Sequence, residues 1–339
     1  MILAGDIGGT KTNLALFGLA AEPTALSPTV LRSYPSGQHA TFSALIAHYL
    51  AEVGQHASAL TAACFGIAGP VFSQRCEATN LPWVIDAAEL GALLGIPSVW
   101  LLNDLEATGY GIATLTPSQI EQLNASQPVV GSNAALIAAG TGLGEAILLA
   151  TDGGFRPIAG EGSHCDFAPR NELEIELLRY LLGEFEHVSY EHVVSGPGLR
   201  ALYRFFSHRT DATKINADLR ARIEANANTA PAEISSAALE SRCPAAVAAL
   251  DLFVELYAAE AANLALKVNA LGGVYFGGGI APRIASKLRE PRFLASFNRK
   301  GRFAKLTQQM PLYLLHEPLA ALRGAAAFAA KPSERRGSE

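Results

Sequence analysis

Two glycine-rich turns of one kind, about half a chain apart, carry the residue types that hold phosphate. The first is Gly5-Asp6-Ile7-Gly8-Gly9-Thr10 and the second is Gly140-Thr141-Gly142-Leu143-Gly144. Without a Cβ the backbone comes close to an anion and its N–H groups converge on it, while Thr10 and Thr141 add hydroxyl donors. Apolar runs flank both turns: Ile2-Leu3-Ala4 and Thr12-Asn13-Leu14-Ala15-Leu16-Phe17 around the first, Ala135-Leu136-Ile137 and Ala146-Ile147-Leu148-Leu149-Ala150 around the second. The chain therefore turns from a strand straight back into a strand. That context excludes a Walker A loop, in which Gly-Lys-Ser/Thr opens a helix, and a dinucleotide fingerprint, in which Gly-x-Gly-x-x-Gly joins strand to helix. Taken singly, each turn is also ordinary hairpin chemistry. Their repetition, with Asp6 inside the first, points to two tips that face one another and clamp a polyphosphate.

A second kind of chemistry needs carboxylates. Asp104 follows the apolar run Ser98-Val99-Trp100-Leu101-Leu102 and Asn103, at the carboxyl end of a strand, where ligand clefts open in α/β sheets. There it could serve as a general base that takes a proton from an alcohol. The alternative is an N-cap, because Asn or Asp before Leu105-Glu106-Ala107-Thr108 is also what a helix start looks like. The stretch Gly160-Glu161-Gly162-Ser163-His164-Cys165-Asp166-Phe167 offers Glu161 and His164 between small residues, an acceptor and a switchable donor or acceptor suited to a polyol. Zinc competes for the same residues, but no second cluster of Cys or His completes four ligands. Glu191 precedes a turn, Ser195-Gly196-Pro197-Gly198, and a new helix; a solvated helix-end charge is its plainer reading.

The elements that must position these groups follow a pattern of strand, strand, helix. Residues 41–54 read as a helix with Phe42, Leu45, Ile46, Tyr49, Leu50 and Val53 on one face, 62–67 as a buried strand, 86–94 as a short helix and 98–102 as another buried strand. The second half restarts with its glycine hairpin and continues with helices over 172–182, across the polar stretch 199–241, and over 245–271, whose stripe runs Val247, Leu250, Val254, Tyr257, Ala261, Leu264, Val268. A strand at 273–276, the run Gly277-Gly278-Gly279, a helix opened by Pro282, a strand at 311–315 and a closing helix at 320–330 complete it. The expected division is a small α/β domain over 1–112, a large one over 113–317, a closing helix (318–331) returning to the first, and a flexible tail at 332–339, with the boundary near 110–116.

Composition agrees with two α/β domains around a cleft in a chain of 339 residues. Half the residues are hydrophobic, yet no uninterrupted apolar run reaches the roughly 18 residues a membrane span needs. The start, Met-Ile-Leu-Ala-Gly-Asp, has neither a basic segment nor an adequate apolar one for a secretory signal, so a cytoplasmic location is expected. Cys64, Cys76, Cys165 and Cys243 are scattered, against both a disulfide framework and a zinc knuckle. A net charge of −5 gives no basic field for nucleic acid. The apolar helices make a homodimer the expected assembly.

Together these motifs resemble the bacterial glucokinase family, part of the superfamily of sugar kinases, heat-shock ATPases and actin. The resemblance covers nearly the whole chain, in the family order: Gly5-Asp6-Ile7-Gly8-Gly9-Thr10, Ala78-Thr79-Asn80-Leu81-Pro82-Trp83, Leu102-Asn103-Asp104, Gly140-Thr141-Gly142-Leu143-Gly144, Gly160-Glu161-Gly162-Ser163-His164-Cys165-Asp166-Phe167-Ala168-Pro169, Ser195-Gly196-Pro197-Gly198-Leu199 and Gly277-Gly278-Gly279-Ile280-Ala281-Pro282-Arg283. It implies two ribonuclease-H-like (actin-like ATPase) domains flanking a catalytic cleft. It also implies ATP-dependent phosphorylation of glucose, with Asn80, Asn103, Asp104, Glu161, His164 and Glu191 on the sugar hydroxyls and Asp104 as base on the 6-hydroxyl. Gly5, Asp6, Ile7, Gly8, Gly9 and Thr10 with Gly140, Thr141 and Gly142 would take the phosphates of ATP, Asp6 would help place Mg²⁺, and Gly277, Gly278, Gly279 and Ile280 would flank adenosine.

Two positions depart from the family pattern. Lys11 gives Gly-Gly-Thr-Lys, more like the repressor, open-reading-frame, kinase family, although that family's cysteine-rich zinc motif is absent here. Ser163 stands where glycine is expected before His164. Kinases for mannose or glucosamine are the nearest alternatives. A sugar-sensing regulator would need a DNA-binding segment before the first hairpin, and a chaperone- or filament-type ATPase would lack the sugar-contacting carboxylates. Because water competes with the alcohol, sugar-driven domain closure is expected to assemble the site, leaving little ATPase activity without sugar.

Overall fold

The computed structural model describes residues 1–18, 26–78, 81–210 and 217–331. Asn80 and the tail at 332–339 lie outside the described residues. In chain order the described strands are β1 (Ile2–Ile7), β2 (Lys11–Phe17), β3 (Pro28–Pro35), β4 (Ala62–Ile67), β5 (Arg75–Glu77), β6 (Val84–Asp86), β7 (Val99–Asn103), β8 (Ile120–Gln122), β9 (Ala134–Ala139), β10 (Leu143–Thr151), β11 (Gly154–Gly160), β12 (Gly273–Gly277) and β13 (Leu312–Leu315). One sheet runs β3-β2-β1-β4-β7, the other β11-β10-β9-β12-β13-β8, and β5 with β6 forms a two-stranded ribbon. Each larger sheet thus has a glycine-tipped hairpin beside two parallel strands: β1 is antiparallel to β2 and parallel to β4, and β9 is antiparallel to β10 and parallel to β12. That duplicated α/β arrangement is the one expected from the sequence.

Register decides what meets at the sheet edges. Ile7 lies level with Ile67, and Ile67 level with Asn103. The first glycine turn and Asp104 therefore leave the same edge of one sheet, with only β4 between their strands, which is roughly 10 Å at two strand spacings. In the other sheet Gly277 is level with Ala138, so the run after β12 emerges beside the tip of the second hairpin.

Local chemistry explains the helix boundaries. The helix Phe42–Glu52 starts where Thr41 Oγ1 accepts from the Ala44 N–H. The helix Ala87–Leu94 is capped by Asp86, which accepts from Ala88 and Glu89, and stops at Gly95 with φ of +67°. The polar stretch resolves into Gly196–Arg209, Ala217–Ala225 and Ala230–Leu239. The helix Pro244–Val268 begins with Pro at its first turn and ends at left-handed Asn269. It is buried well beyond the expected stripe: Ala245, Ala249, Ala258, Ala262 and Ala265 are fully covered as well, because helices and a sheet close around it. Its apolar surface is thus covered within its own core. Pro282 lies in a short 3₁₀ turn, Ala281–Ile284, followed by the helix Ala285–Leu288.

Strands β3 and β11 are absent from the sequence reading. Both lie at sheet edges. Pro28 and Pro35 bound one, and Pro157 interrupts the other; proline is tolerated at an edge and reads as a breaker elsewhere.

The chain forms two compact units: Met1–Ile120 with Thr151–Ala159 and Glu317–Glu339, and Glu121–Ala150 with Gly160–His316. Residues 110–116, where the sequence suggests a boundary, belong to the first unit. Arg323 there donates to the Thr114 carbonyl at 2.7 Å and to Thr114 Oγ1 at 3.1 Å. Within this unit the closing helix Ala320–Ala330 packs on the helix Asp104–Ile112 backbone to backbone. A Cβ added at Gly324 would stand 1.7 Å from the Ala107 carbonyl oxygen, and one at Gly111 2.1 Å from that of Ala320. Among the described residues no helix is long and apolar enough to cross a membrane.

Candidate active site

In the first unit the glycine turn is closed by the Gly8 N–H donating to the Lys11 carbonyl at 3.0 Å. A brace unforeseen in the sequence holds it. Ser36 is fully buried; its N–H donates to the Thr10 carbonyl, its hydroxyl donates to the Gly8 carbonyl at 2.7 Å, and Thr12 Oγ1 lies 2.8 Å from Ser36 Oγ. Gly9 and Thr10 are left at the accessible tip, and Lys11 is exposed. Gly5 sits deeper, inside β1, where an added Cβ would meet Phe65 at 2.6 Å. Close packing accounts for that glycine. Ile7 is buried, so only its backbone can face a ligand.

Asp6 is half-buried at the end of β1, with the Asn13 amide donating to its Oδ2 at 3.2 Å. Burial raises its pKa, more than Asn13 and the Lys11 charge lower it. A carboxylate so placed lacks a full counter-charge, and its hard oxygens suit a divalent cation such as Mg²⁺.

Asn103 and Asp104 divide the helix-start roles. The N-cap is Asn103: its Oδ1 accepts from the Leu105 N–H at 2.8 Å, and Glu106 returns the bond by accepting from the Asn103 N–H at 3.1 Å. Asn103 also donates through Nδ2 to the Gly69 carbonyl at 3.1 Å. Asp104 is the first helical residue, partly exposed, with Oδ1 3.0 Å from the Leu105 nitrogen and its carbonyl accepting from Thr108 Oγ1. A capping requirement therefore does not explain Asp104. Its carboxylate lies at the end of the helix where negative charge suits the helix dipole. Burial raises the Glu106 pKa against the backbone bonds that lower it.

In the second unit the tip closes on itself, with the Gly140 N–H donating to the Gly142 carbonyl at 2.8 Å. Two other segments converge on it. Gly196, at the start of the helix Gly196–Arg209 capped by Ser195, donates to the Gly140 carbonyl at 2.8 Å. Ile280 donates to the Ala139 carbonyl at 3.1 Å, and Gly278 makes the turn at φ of +81°, where a Cβ would stand 2.4 Å from that same oxygen. Gly277 is buried in β12, whereas Gly278, Gly279 and Thr141 are exposed. Of the glycines expected to hold phosphate, those of the second turn therefore come together in this unit with those expected to flank adenosine.

Glu161 and His164 also come together. Their side chains are exposed, with Glu161 Oε2 3.8 Å from His164 Nε2, across a 3₁₀ turn at Gly162–His164. Ser163 is turned inward instead; it is buried, and its carbonyl accepts from the Glu191 N–H at 3.0 Å. Glu191 spans two parts of the site. Its Oε2 accepts from the Leu143 N–H at 2.9 Å and occupies the place a Cβ on Gly142 would need, 2.5 Å away. Among the described residues no three His, Cys, Asp or Glu side chains form a metal-holding group. Two acidic residues unflagged by the sequence are buried in this unit: Glu145 on β10, whose carboxyl lies against Gly162, and Glu260 on the helix Pro244–Val268.

The chain resembles known proteins over nearly its whole length. The glucokinase family model matches residues 3–332. A curated glucokinase of Nostoc punctiforme is 38% identical over 342 residues, covering 98% of this chain and 99% of the relative. A solved glucokinase from an Antarctic psychrotroph is 31% identical, with a TM-score of 0.79 over 97% of this chain and 98% of that one. A ROK family glucokinase from Streptomyces griseus, solved with glucose and AMPPNP, shares the fold at 20% identity and a TM-score of 0.64, over 96% of this chain and 98% of that one. With a family match over nearly all its length and two hairpin-bearing α/β units of the actin-like ATPase fold, the chain belongs to the glucokinase family.

Proposed function

We propose that Asp104 takes the proton of the attacking hydroxyl as this member of the glucokinase family phosphorylates glucose with ATP, and that the hydroxyl is the one on carbon 6. The observation that carries the assignment is the division of labour at the helix start. Asn103 and Glu106 make the cap and hold fixed the backbone from which Asp104, partly exposed, carries its carboxylate. A general base needs that fixed geometry more than it needs an unusual pKa.

The two compact units serve as the small and large domains of the enzyme. On the sugar, Glu161 and His164 act as adjoining hydroxyl partners, supported by their exposure and mutual approach. Asn80 belongs to the same set by the family resemblance alone. Asn103 keeps one amide hydrogen beyond its bond to Gly69 and joins the sugar through it. On the nucleotide, the N–H groups of Gly8 to Thr10 and of Gly140 to Gly142 take phosphate oxygens, and Gly277 to Ile280 border the adenosine. Gly5 contributes by letting β1 pack against Phe65, not by touching ATP.

Asp6 fits a Mg²⁺ ion and would hold it. When bound, the ion offsets charge on the transferring phosphoryl group. The protein orients the alcohol, accepts its proton at the Asp104 carboxylate and keeps water from the hydroxyl's place.

The test is a coupled assay of ATP consumption over glucose, mannose, glucosamine and fructose, with the product position read by phosphorus NMR. Glucose 6-phosphate as the favoured product is expected. Phosphorylation at another hydroxyl would overturn the regiochemical reading, and preference for another hexose would overturn the choice of glucose.

A further inference from the structure

Glu145 is the least expected side chain in the second unit. It stands on β10 two residues after Leu143, on the face that carries Ile137 and Ala139 of β9 into the main core, and it is 2% exposed. Neither carboxyl oxygen has a hydrogen-bond partner among the described residues other than the facing Glu260 carboxyl. A buried polar group left so costs stability, so its retention calls for a reason.

The reason lies above it. A Cβ built on Gly162 would stand 2.3 Å from Glu145 Oε2, so the Glu145 carboxyl and the loop backbone are already in contact. Gly162 follows Glu161 directly and opens the turn that presents His164. Facing Glu145 from the long helix is Glu260, 1% exposed, whose Oε2 accepts from Asn263 at 2.8 Å; Lys267, on the same helix, adds a weaker opposing charge. Asn263 donates to the Tyr190 hydroxyl at 3.1 Å and accepts from Lys300, which also donates to the Ala259 carbonyl. Tyr190 in turn donates from its backbone to the Cys165 carbonyl, and Glu191 to that of Ser163. The loop is thus tied at its far side and rests on Glu145 at its near side.

We propose that Glu145 is a positioning residue for the sugar: its carboxyl, wedged between Glu260 and Gly162, is the floor that sets the loop carrying Glu161 and His164. The inference rests on the sugar-binding reading of that loop. Burial and the neighbouring Glu260 push the Glu145 pKa up to about 8, so the group is protonated at neutral pH. Glu260 is raised too, again by burial, while Lys300 is pushed down to about 8 by burial and the Arg170 charge. Once Glu145 ionises, repulsion from Glu260 and the need for water drive it outward. The sheet and the helix are packed and cannot yield; the loop can.

The experiment measures kcat and KM for glucose from about pH 6 to about pH 9 on full-length wild type, Glu145→Gln, Glu161→Gln and Gly162→Ala, each first checked for a folded spectrum. Glutamine keeps the shape of Glu145 without its titration. Wild-type KM is expected to rise about tenfold across that range with kcat nearly level, and Glu145→Gln to hold KM flat. Gly162→Ala is expected to raise KM about tenfold, with recovery when Glu145→Ala is added to vacate the space. If Glu145→Gln follows the wild-type KM profile, or wild-type KM is itself flat, the proposal is overturned. If Glu161→Gln leaves KM unchanged at every pH, the reading of the loop beneath the proposal fails, a distinct result from failure of Glu145 alone.

Discussion

Glu191 accepts a hydrogen bond from the Leu143 N–H at 2.9 Å, so a residue expected on the sugar braces the turn expected on the phosphates. The same carboxylate fills the space that Gly142 leaves empty. One side chain thus links the loop at Ser163 to the hairpin tip, through its backbone at one end and its carboxylate at the other.

From that link, Glu191→Ala should raise KM for ATP as well as for glucose. Losing a bond to a charged acceptor is worth about 1.5–3 kcal/mol, or roughly tenfold and more in affinity. Initial rates with each substrate varied in turn check this. An unchanged KM for ATP would limit Glu191 to the sugar.

Much of this was legible in the sequence, for particular reasons. Ile2 to Ala4 and Ala135 to Ile137 are apolar runs that lead into glycine turns, and β1 and β9 form where those runs lie. The helix at Asp104 was legible because Asn103 and Glu106 stand at cap and third position. Ser36 was not, since its role depends on strand β3 returning beside β2, a pairing between proline-bounded residues. Glu145 was hidden for a related reason: within an apolar strand it reads as an outward-facing polar position, and only the sheet's facing reveals that it points inward. Gly5 stands within a phosphate-type motif in the sequence, and only the structure shows its neighbours in space, Phe65 and Leu14.

The cap at Asn103 predicts a split between stability and chemistry. Asn103→Ala removes the bond to Leu105 and the bond to Gly69, and should cost about 1–2 kcal/mol in denaturant unfolding. It should lower kcat as well, because the backbone that aims Asp104 loosens. Asn103→Asp, which keeps the acceptor, should recover most of the stability. Equal losses for the two variants would contradict the capping role.

Stability should depend on pH through Glu145. Its folded pKa, about 8, lies above the ordinary value near 4.5. The folded state therefore holds the proton more tightly, and the stabilisation is complete at low pH and lost as pH rises through about 8. Glu145→Gln does not titrate, so its melting temperature relative to wild type should rise between about pH 5 and about pH 9. A constant difference across that range would mean that Glu145 does not change its protonation on folding.

Without sugar, ATP hydrolysis should be slower than glucose phosphorylation by about 10³-fold or more, because water alone does not assemble the site. Release of phosphate from ATP and Mg²⁺, with and without glucose, measures the ratio. A ratio near one would point to an ATPase and against a kinase.

The most direct test of the central claim is kcat for Asp104→Asn, with glucose binding measured on the same purified protein by calorimetry. Loss of the base should lower kcat by about 10²–10⁴-fold while the protein stays folded and still binds glucose. A folded variant that keeps more than about a tenth of wild-type kcat would contradict the account and put the base elsewhere.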